Sequence, residues 1–415
     1  MEMKVKGQTV LHGETWVGTS KNAVLPILAA SLLTEEPVLI HQLPQIMDVK
    51  VVLELLREIG AQVETEGNDV RICGEIFNLY PSAELVRKIR GSFLMMGPIL
   101  ARKQKVRISL PGGCSIGSRP VDLHLKGLQL MGAKVHFVGG DVVAEAPKLR
   151  GTRIYLDFPS VGATENIMMA AALAEGTTVI ENAALEPEVV DLAHFINTLG
   201  GKVHGAGTSL LRIEGVTALH GSEYTPIPDR IEAGSLMVAI AASQGEGVVH
   251  NVIPAHIKAV SAKLRESGAE IEEETDRIFI RRTTPIQSIY VKTLPYPGFP
   301  TDMQAQMMAY LCGCEANSII SETVFENRFL HVPELLRMGA DIRIEGRTAI
   351  IRGCGHLGGA RVRATDLRAG AALFIAGICA HGTTLIEDCE HIYRGYENFP
   401  EKLRSLGAHI EMISE

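Results

Sequence analysis

A unit repeated six times constrains this chain more than any other feature. The segments "LLREIGAQVETEGNDVRICG", "LQLMGAKVHFVGGDVVAEA", "INTLGGKVHGAGTSLLRIEG", "LRESGAEIEEETDRIFIRR", "LLRMGADIRIEGRTAIIRG" and "LRSLGAHIEMISE" share one pattern. Each is the end of an amphipathic helix, then a glycine, then alternating strand residues, often with a turn and a second strand. Glycine is the residue that takes a left-handed helix C-cap without strain. The six glycines are Gly60, Gly132, Gly200, Gly268, Gly339 and Gly407, separated by 72, 68, 68, 71 and 68 residues. That spacing is too regular for chance and too long for a solenoid. Six α/β units in 415 residues imply two domains of three, because a single core does not grow to that size.

A second helix opens each unit, read from "KNAVLPILAASLL", "RGSFLMMGPILAR", "GATENIMMAAALAEG", "DRIEAGSLMVAIAASQG", "TDMQAQMMAYLCG" and "TDLRAGAALFIAGICAHG". These helices are apolar nearly all round, so each is expected to be buried among the other elements of its domain. This reverses the usual barrel, whose helices lie outside. The expected domains are residues 21–228, and 1–20 together with 229–415. The chain then crosses between them near 19–21 and 228–230, and the strand before Lys21 completes the short sixth unit.

Composition supports a soluble globular chain, 46% hydrophobic. Its longest apolar runs, "AVLPILAASLL" and "AGAALFIAGICA", fall short of the roughly 20 residues that span a bilayer. "MEMKVKGQTV" lacks the apolar stretch of a signal peptide, so a cytoplasmic location is expected, with no membrane insertion. A net charge of −8 argues against general nucleic-acid binding. Any anion site must therefore be local. Seven cysteines without framework spacing are expected to be reduced thiols, with no metal site.

The residues at the starts of the buried helices run against local preference. Lys21 and Arg368 lie 39 residues before their repeat glycine, Gly162 and Arg230 lie 38, and Asp302 lies 37. Lys21, Arg90, Arg230 and Arg368 place a cation in or near a first turn, where the helix dipole disfavours it by about 0.3–1 kcal/mol. A single solvated charge at a helix end is ordinary. Four in six helix starts point instead to a bound phosphate or carboxylate, which satisfies both cation and free N–H groups. The third helix, preceded by "SVGAT", has small residues that admit a ligand close to its backbone. Arg119 and Arg394 each lie 13 residues before a repeat glycine, matching positions from which two arginines can clamp one anion.

The stretch "PGGCSIGSRP", residues 111–120, reads as an exposed, mobile loop. Cys73, Cys312, Cys314, Cys354, Cys379 and Cys389 are expected to be small buried hydrophobes. Cys114 differs, because Arg119 and backbone N–H groups beside it favour a reactive thiol, an acid or a nucleophile. His124 belongs to the following helix and offers no local Cys-His pair, so acid work fits better.

The six-unit chain carries "SKNAVLP" at 20–26, "LPGGCSIGSRPVDLHLKGLQLMGA" at 110–133, "SVGATENIMMAAALAEGTT" at 160–178, "FPTDMQAQ" at 299–306, "ETVFENRFLHVPEL" at 322–335, "ATDLRAG" at 364–370 and "RGYE" at 394–397. Over essentially its whole length it closely resembles the enolpyruvyl transferases that act on UDP-N-acetylglucosamine. The resemblance implies a two-domain inside-out α/β barrel of six βαβαββ-like units, with the active site in the cleft between domains. It implies transfer of enolpyruvate from phosphoenolpyruvate to the 3′-hydroxyl of UDP-N-acetylglucosamine, releasing phosphate. That is the first committed step of peptidoglycan synthesis, on which the cell wall, cell shape and division depend. Both substrates are then the expected partners, and fosfomycin the expected inhibitor.

By the same resemblance Cys114 is the acid that protonates the methylene carbon of phosphoenolpyruvate, and Asp302 takes the sugar hydroxyl proton. Lys21, Arg119 and Arg394 match the phosphate and carboxylate clamp; Asn22, Arg90, Arg328, Asp366 and Arg368 complete the site. Arg119, Pro120, Val121, Asp122, Leu123, Ser160, Val161, Gly162 and Val324 match nucleotide-sugar contacts. An acid and a base suffice for addition to an enol ether, so no cofactor is expected. Asp302 also stands at a helix start, where a plain cap is the competing reading. The chain departs from the family pattern at Phe158, Leu185 and Tyr393. Two other readings are the shikimate-pathway enolpyruvyl transferase, which lacks the cysteine loop, and a non-catalytic regulatory paralogue that binds UDP-sugars.

Overall fold

The computed structural model describes residues 1–112 and 121–413. They form two compact units: Met1–Gly18 with the chain from Pro228 onward, and the chain from Thr19 to Ile227. Each unit has its own apolar core.

In the Thr19 to Ile227 unit the buried helical segments are Lys21–Ala30, Arg90–Met95 running into Met96–Lys103, and Val161–Ala172. In the other they are Arg230–Ala242, Thr301–Met303 running into Gln304–Leu311, and Leu367–Cys379. Every residue of Gln304–Leu311 is buried, as is Arg368 through Ile378, so their all-round apolarity is satisfied by enclosure. Two segments expected as single helices begin with a tighter 3-10 turn, Arg90–Met95 and Thr301–Met303. The outer helices are amphipathic. Met47–Ile59, for example, buries Val49, Val52, Leu53, Leu55, Leu56 and Ile59 and leaves Lys50, Glu54 and Arg57 in solvent.

Among the described residues six small sheets flank these helices, five with four strands and one with three. The third unit shows the pattern. Arg153–Tyr155 runs parallel to Thr177–Glu181, which pairs antiparallel with Leu210–Glu214, which pairs with Lys202–His204. The parallel step needs a crossover, supplied by the buried helix. Distant strands complete other sheets. Ser222–Tyr224 lies parallel to Val38–Ile40, and His12–Trp16 parallel to Glu246–His250. Glu2–Lys6 fits between Thr383–Glu387 and Ile410–Ile413, giving the sixth unit the second hairpin strand it lacks. The second unit departs from the pattern. Its place for a parallel edge strand is taken by an irregular segment that bonds through Arg107 N–H to the Leu79 carbonyl at 2.9 Å.

All six repeat glycines have positive φ, from +89° at Gly339 to +123° at Gly60. The residue after each glycine donates its N–H five residues back, Ala61 to Leu56, Ala133 to Leu128, Gly201 to Ile196, Ala269 to Leu264, Ala340 to Leu335 and Ala408 to Leu403. These bonds, 2.9–3.1 Å long, are the Schellman closure that satisfies the last helical carbonyls and turns the chain into its strand. Buried helix ends are finished by arginines instead. Arg102 donates to the carbonyls of Leu32 and Thr34 at 3.0 and 3.2 Å, and Arg282 to those of Ala241 and Ala242. Among the described residues no helix is long and apolar enough to cross a membrane.

Gly97 answers a different need: a Cβ there would lie 2.4 Å from the Asn166 carbonyl oxygen, where two buried helices meet. At Gly339 nothing would touch the added atom. Gly339→Ala should therefore lower stability by only the left-handed backbone cost, about 1–2 kcal/mol. Gly97→Ala should cost more, by forcing the helices apart. Thermal unfolding of both variants tests this, and a smaller loss for Gly97→Ala would contradict the packing.

Candidate functional site

Most of the residues singled out in the sequence stand at or near the first turns of helices. In the Thr19 to Ile227 unit, Lys21 is the first residue of its helix and forms an ion pair with Asp48 at 2.6 Å. The side chains are 11% and 5% exposed. Asp48 lies in the first turn of Met47–Ile59, where the dipole favours an acid. Asn22, beside Lys21, is the one residue of that helix that is not buried.

Arg90 opens its 3-10 turn after the extended residue Ile89. Its charge acts on His124, which lies in the Asp122–Leu130 helix as expected. His124 Nδ1 accepts from Asn166 Nδ2 at 3.0 Å, which places the ring proton on Nε2, and the imidazole meets Phe93 edge-on at 5.3 Å. Burial, and then the charge of Arg90, holds His124 down to about 3, so the imidazole is neutral. A Cβ on Gly162 would lie 3.1 Å from its ring, so glycine lets the start of Val161–Ala172 come up against His124. Ser160 caps that helix, its Oγ accepting from Ala163 N–H at 3.3 Å. Val161 and Gly162 are partly exposed, and from Ala163 the helix is buried. Val121 and Leu123 are partly exposed and Asp122 exposed at the start of their helix. Cys114, Arg119 and Pro120 lie outside the described residues.

In the other unit the central feature is Asp302. One carboxylate oxygen accepts from Arg328 at 2.8 Å and the other from Arg368 at 2.9 Å. Both arginine side chains are 4% exposed and that of Asp302 is 25% exposed, so two buried cations fix a carboxylate that solvent still reaches. Asp302 stands inside the Thr301–Met303 turn, whose N-cap position is Pro300. Arg368 also lies against the Tyr396 ring, 5.0 Å from its centroid. Burial works against the charge of Arg368, but Tyr396, Asp302 and Asp229 outweigh it and push its pKa up.

Asp366 has a different task from Asp302. Its Oδ1 accepts from the N–H groups of Arg368 and Ala369 at 2.8 and 3.0 Å and caps Leu367–Cys379. Arg394 closes the Cys389–Arg394 turn and is partly exposed. Val324 sits in a turn held by Glu322, a buried acid that accepts from Val324 and Phe325 N–H and from the hydroxyls of Thr293 and Thr301. Glu322 thus ties the turn of Val324 to the residue before Asp302. Among the other helix-start cations, Arg230 lies over the Tyr296 ring at 5.5 Å. Of the three departures, Phe158 is exposed, Leu185 partly so, and Tyr393 packs against the core.

Sequence reasoning missed Asp48, Glu322, Gln306 and Tyr396. Asp48 and Glu322 carry no signal, because an acid in a first turn or after a strand is commonplace. Gln306 carried a weak one, as one of two glutamines, with Gln304, in a helix that is buried throughout. The six other cysteines, all free, divide: Cys312, Cys314 and Cys389 are buried, while Cys73, Cys354 and Cys379 are only half-buried, contrary to expectation, at the ends of strands or of a helix. Burial pushes the thiols of Cys379 and Cys389 up to about 12, and that of Cys312 up as well.

His331 is also buried and neutral; burial pulls it down to about 4, with Arg328 adding to the effect and Asp366 opposing it. For both histidines the folded pKa lies below that of the unfolded chain, which binds the proton first as pH falls. Their stabilising contribution is full above about 6.5 and is lost as pH falls toward about 3 for His124 and 4 for His331. His124→Asn should therefore lose less thermal stability than the parent between pH 7 and pH 4.5. An unchanged or steeper loss would contradict a neutral His124.

The chain matches the family model described as EPSP synthase (3-phosphoshikimate 1-carboxyvinyltransferase) over residues 5–403. It is 55% identical over 414 residues to a UDP-N-acetylglucosamine 1-carboxyvinyltransferase 2 of Carboxydothermus hydrogenoformans, covering 99% of both chains. It is 55% identical over 400 residues to a UDP-N-acetylglucosamine 1-carboxyvinyltransferase 1 of Caldanaerobacter subterraneus, covering 96% of both. Among solved structures, the enolpyruvyl transferase NikO from Streptomyces tendae superposes with a TM-score of 0.87 at 24% identity, over 99% of this chain and 98% of that one. At that identity the likeness speaks for the fold, and the sequence matches carry the kinship. With a family match over nearly all of its length and relatives at 55% identity, the chain belongs to the enolpyruvyl transferase family.

Proposed function

We propose that this protein transfers enolpyruvate from phosphoenolpyruvate to the 3′-hydroxyl of UDP-N-acetylglucosamine, with release of phosphate. The observation that carries this reading is the 55% identity, over 99% of both chains, to a relative named for that activity. The reaction opens peptidoglycan synthesis, and we place it in the cytoplasm, with no role for nucleic acid.

The chemistry assigns the residues. A proton from the Cys114 thiol goes to the methylene carbon of phosphoenolpyruvate, and the sugar oxygen bonds to the adjacent carbon as positive charge develops there. Asp302 accepts the hydroxyl proton, which neutralises the new ether. The Cys114 thiolate left by the first step then takes a proton back from the new methyl group as the tetrahedral adduct expels phosphate, restoring the double bond. Charge builds on the departing phosphate, so cations are required around it; Lys21, Arg119 and Arg394 take that part, with Asn22, Arg90, Arg328, Asp366 and Arg368 completing the site. Residues 119–123, Ser160, Val161, Gly162 and Val324 take the nucleotide sugar. The small, partly exposed start of Val161–Ala172, with its N–H groups, suits an anionic ligand. The salt-bridged position of Asp302 supports its role as base, since both of its oxygens are oriented before substrate arrives.

Phosphate release should be rapid with UDP-N-acetylglucosamine and negligible with shikimate 3-phosphate as acceptor; the reverse preference would assign the shikimate-pathway activity. Asp302→Asn should retain substrate binding and lose about 10²-fold or more in turnover. Near-normal turnover would leave Asp302 without a chemical role.

Fosfomycin, an epoxide phosphonate, should alkylate Cys114 alone, faster when UDP-N-acetylglucosamine is present. The raised pKa values of Cys312, Cys379 and Cys389 keep those thiols protonated and unreactive. Peptide mapping reads the outcome, and labelling elsewhere with Cys114 untouched would remove the loop from the mechanism.

A further inference from the structure

Behind Asp302 lies a buried polar network. Gln306 is fully buried and stands one helical turn after Asp302, where its side-chain amide donates to the Asp302 carbonyl at 2.9 Å. The same Nε2 lies 3.0 Å from the Tyr396 hydroxyl and 3.1 Å from Ser235 Oγ. Tyr396 Oη and Ser235 Oγ are 2.8 Å apart, and Ser235 donates to the Ile231 carbonyl at 2.8 Å. The protons thus have one direction. Ser235 gives its own to the helix, Tyr396 gives its own to Ser235, and the Tyr396 oxygen accepts from the Gln306 amide and faces the Arg368 guanidinium. The ring of Tyr396 lies against Arg368, which holds Asp302 Oδ2. Asp302 is therefore reached from Tyr396 by two routes, through Gln306 to its backbone and through Arg368 to its carboxylate.

The same helix buries two glutamines; both amide atoms of Gln304 and the Gln306 Oε1 have no hydrogen-bond partner among the described residues, so Gln306 Nε2 is the glutamine group of this helix that bonds to its surroundings. Arg328 and Arg368 fix the carboxylate oxygens, but they cannot by themselves fix the 3-10 turn that carries them. A bond to the backbone of that turn can.

We propose that Gln306 and Tyr396 are positioning residues for the proton acceptor Asp302: the amide bridge and the ring under Arg368 together hold its carboxylate in the orientation turnover requires. This rests on the role given to Asp302 above. Neither residue would touch substrate, so both should act on turnover and little on affinity.

The test is a double-mutant cycle on the full-length enzyme, with single-turnover rates and KM for both substrates. Gln306→Leu should lower kcat about 10-fold or more, with KM values within about twofold. Tyr396→Phe keeps the ring and should lower kcat about 3-fold, a milder variant that serves if Gln306→Leu folds poorly. Added to Asp302→Asn, Gln306→Leu should cost no more than about twofold further, because the group it positions has already gone.

A full independent loss in the Asp302→Asn background, or a loss confined to KM, would overturn the proposal and leave the network a packing device. If Asp302→Asn itself turns over normally, the base assignment fails. If Asp302→Asn is inactive while both Gln306→Leu and Tyr396→Phe behave as the parent enzyme, only this inference fails.

Discussion

Enclosure of the central helices is the constraint on which the rest of this structure depends. A helix apolar on every face has no solvent side, so sheets and amphipathic helices must surround it, and only its ends can meet a ligand. Once Gln304–Leu311 and Leu367–Cys379 are buried along their lengths, a polar residue has few places to act. Helix starts are where backbone N–H groups lack partners, and there this chain sets its charges: Lys21, Arg90, Arg230, Arg368 and, in the turn before its helix, Asp302.

Charges at such places are expensive unless answered, and the structure answers them in different ways. Lys21 has the carboxylate of Asp48, and Asp302 has Arg328 and Arg368. Arg230 and Arg368 each lie over a tyrosine ring. Removing one member of a buried pair typically costs about 3–5 kcal/mol. These groups are thus coupled to the stability of the units that carry them, and substitutions there call for folding controls beside kinetic ones. In return the charged atoms are already in place, so under the proposed function little reorganisation is needed when a substrate arrives.

The architecture was legible because it rests on local chemistry repeated six times. A glycine with positive φ after an amphipathic helix follows from backbone sterics alone, and all six positions behave alike. Apolarity on every face likewise announces burial. What could not be read depends on contacts between residues far apart in the chain. Asp48 and Glu322 look like ordinary acids until Lys21 and the threonines at 293 and 301 are folded against them. The capping role of Asp366 could not be told from a place in the chemistry, since the same "TDLRAG" serves both readings. The missing edge strand of the second unit was hidden too, since repetition of the other elements gave no warning that the segment beside Arg107 would stay irregular.

The proposed transfer is an addition followed by an elimination, with a proton delivered to carbon and a second taken from the new methyl group. Mass spectrometry of the product formed in D2O from unlabelled phosphoenolpyruvate and UDP-N-acetylglucosamine tests it most directly. Deuterium is expected at the vinyl methylene carbon, because the intermediate methyl group carries one solvent-derived hydrogen and gives up any of its three. A product free of deuterium at that carbon would contradict it, since the enolpyruvyl group would then have passed to the sugar without protonation at carbon.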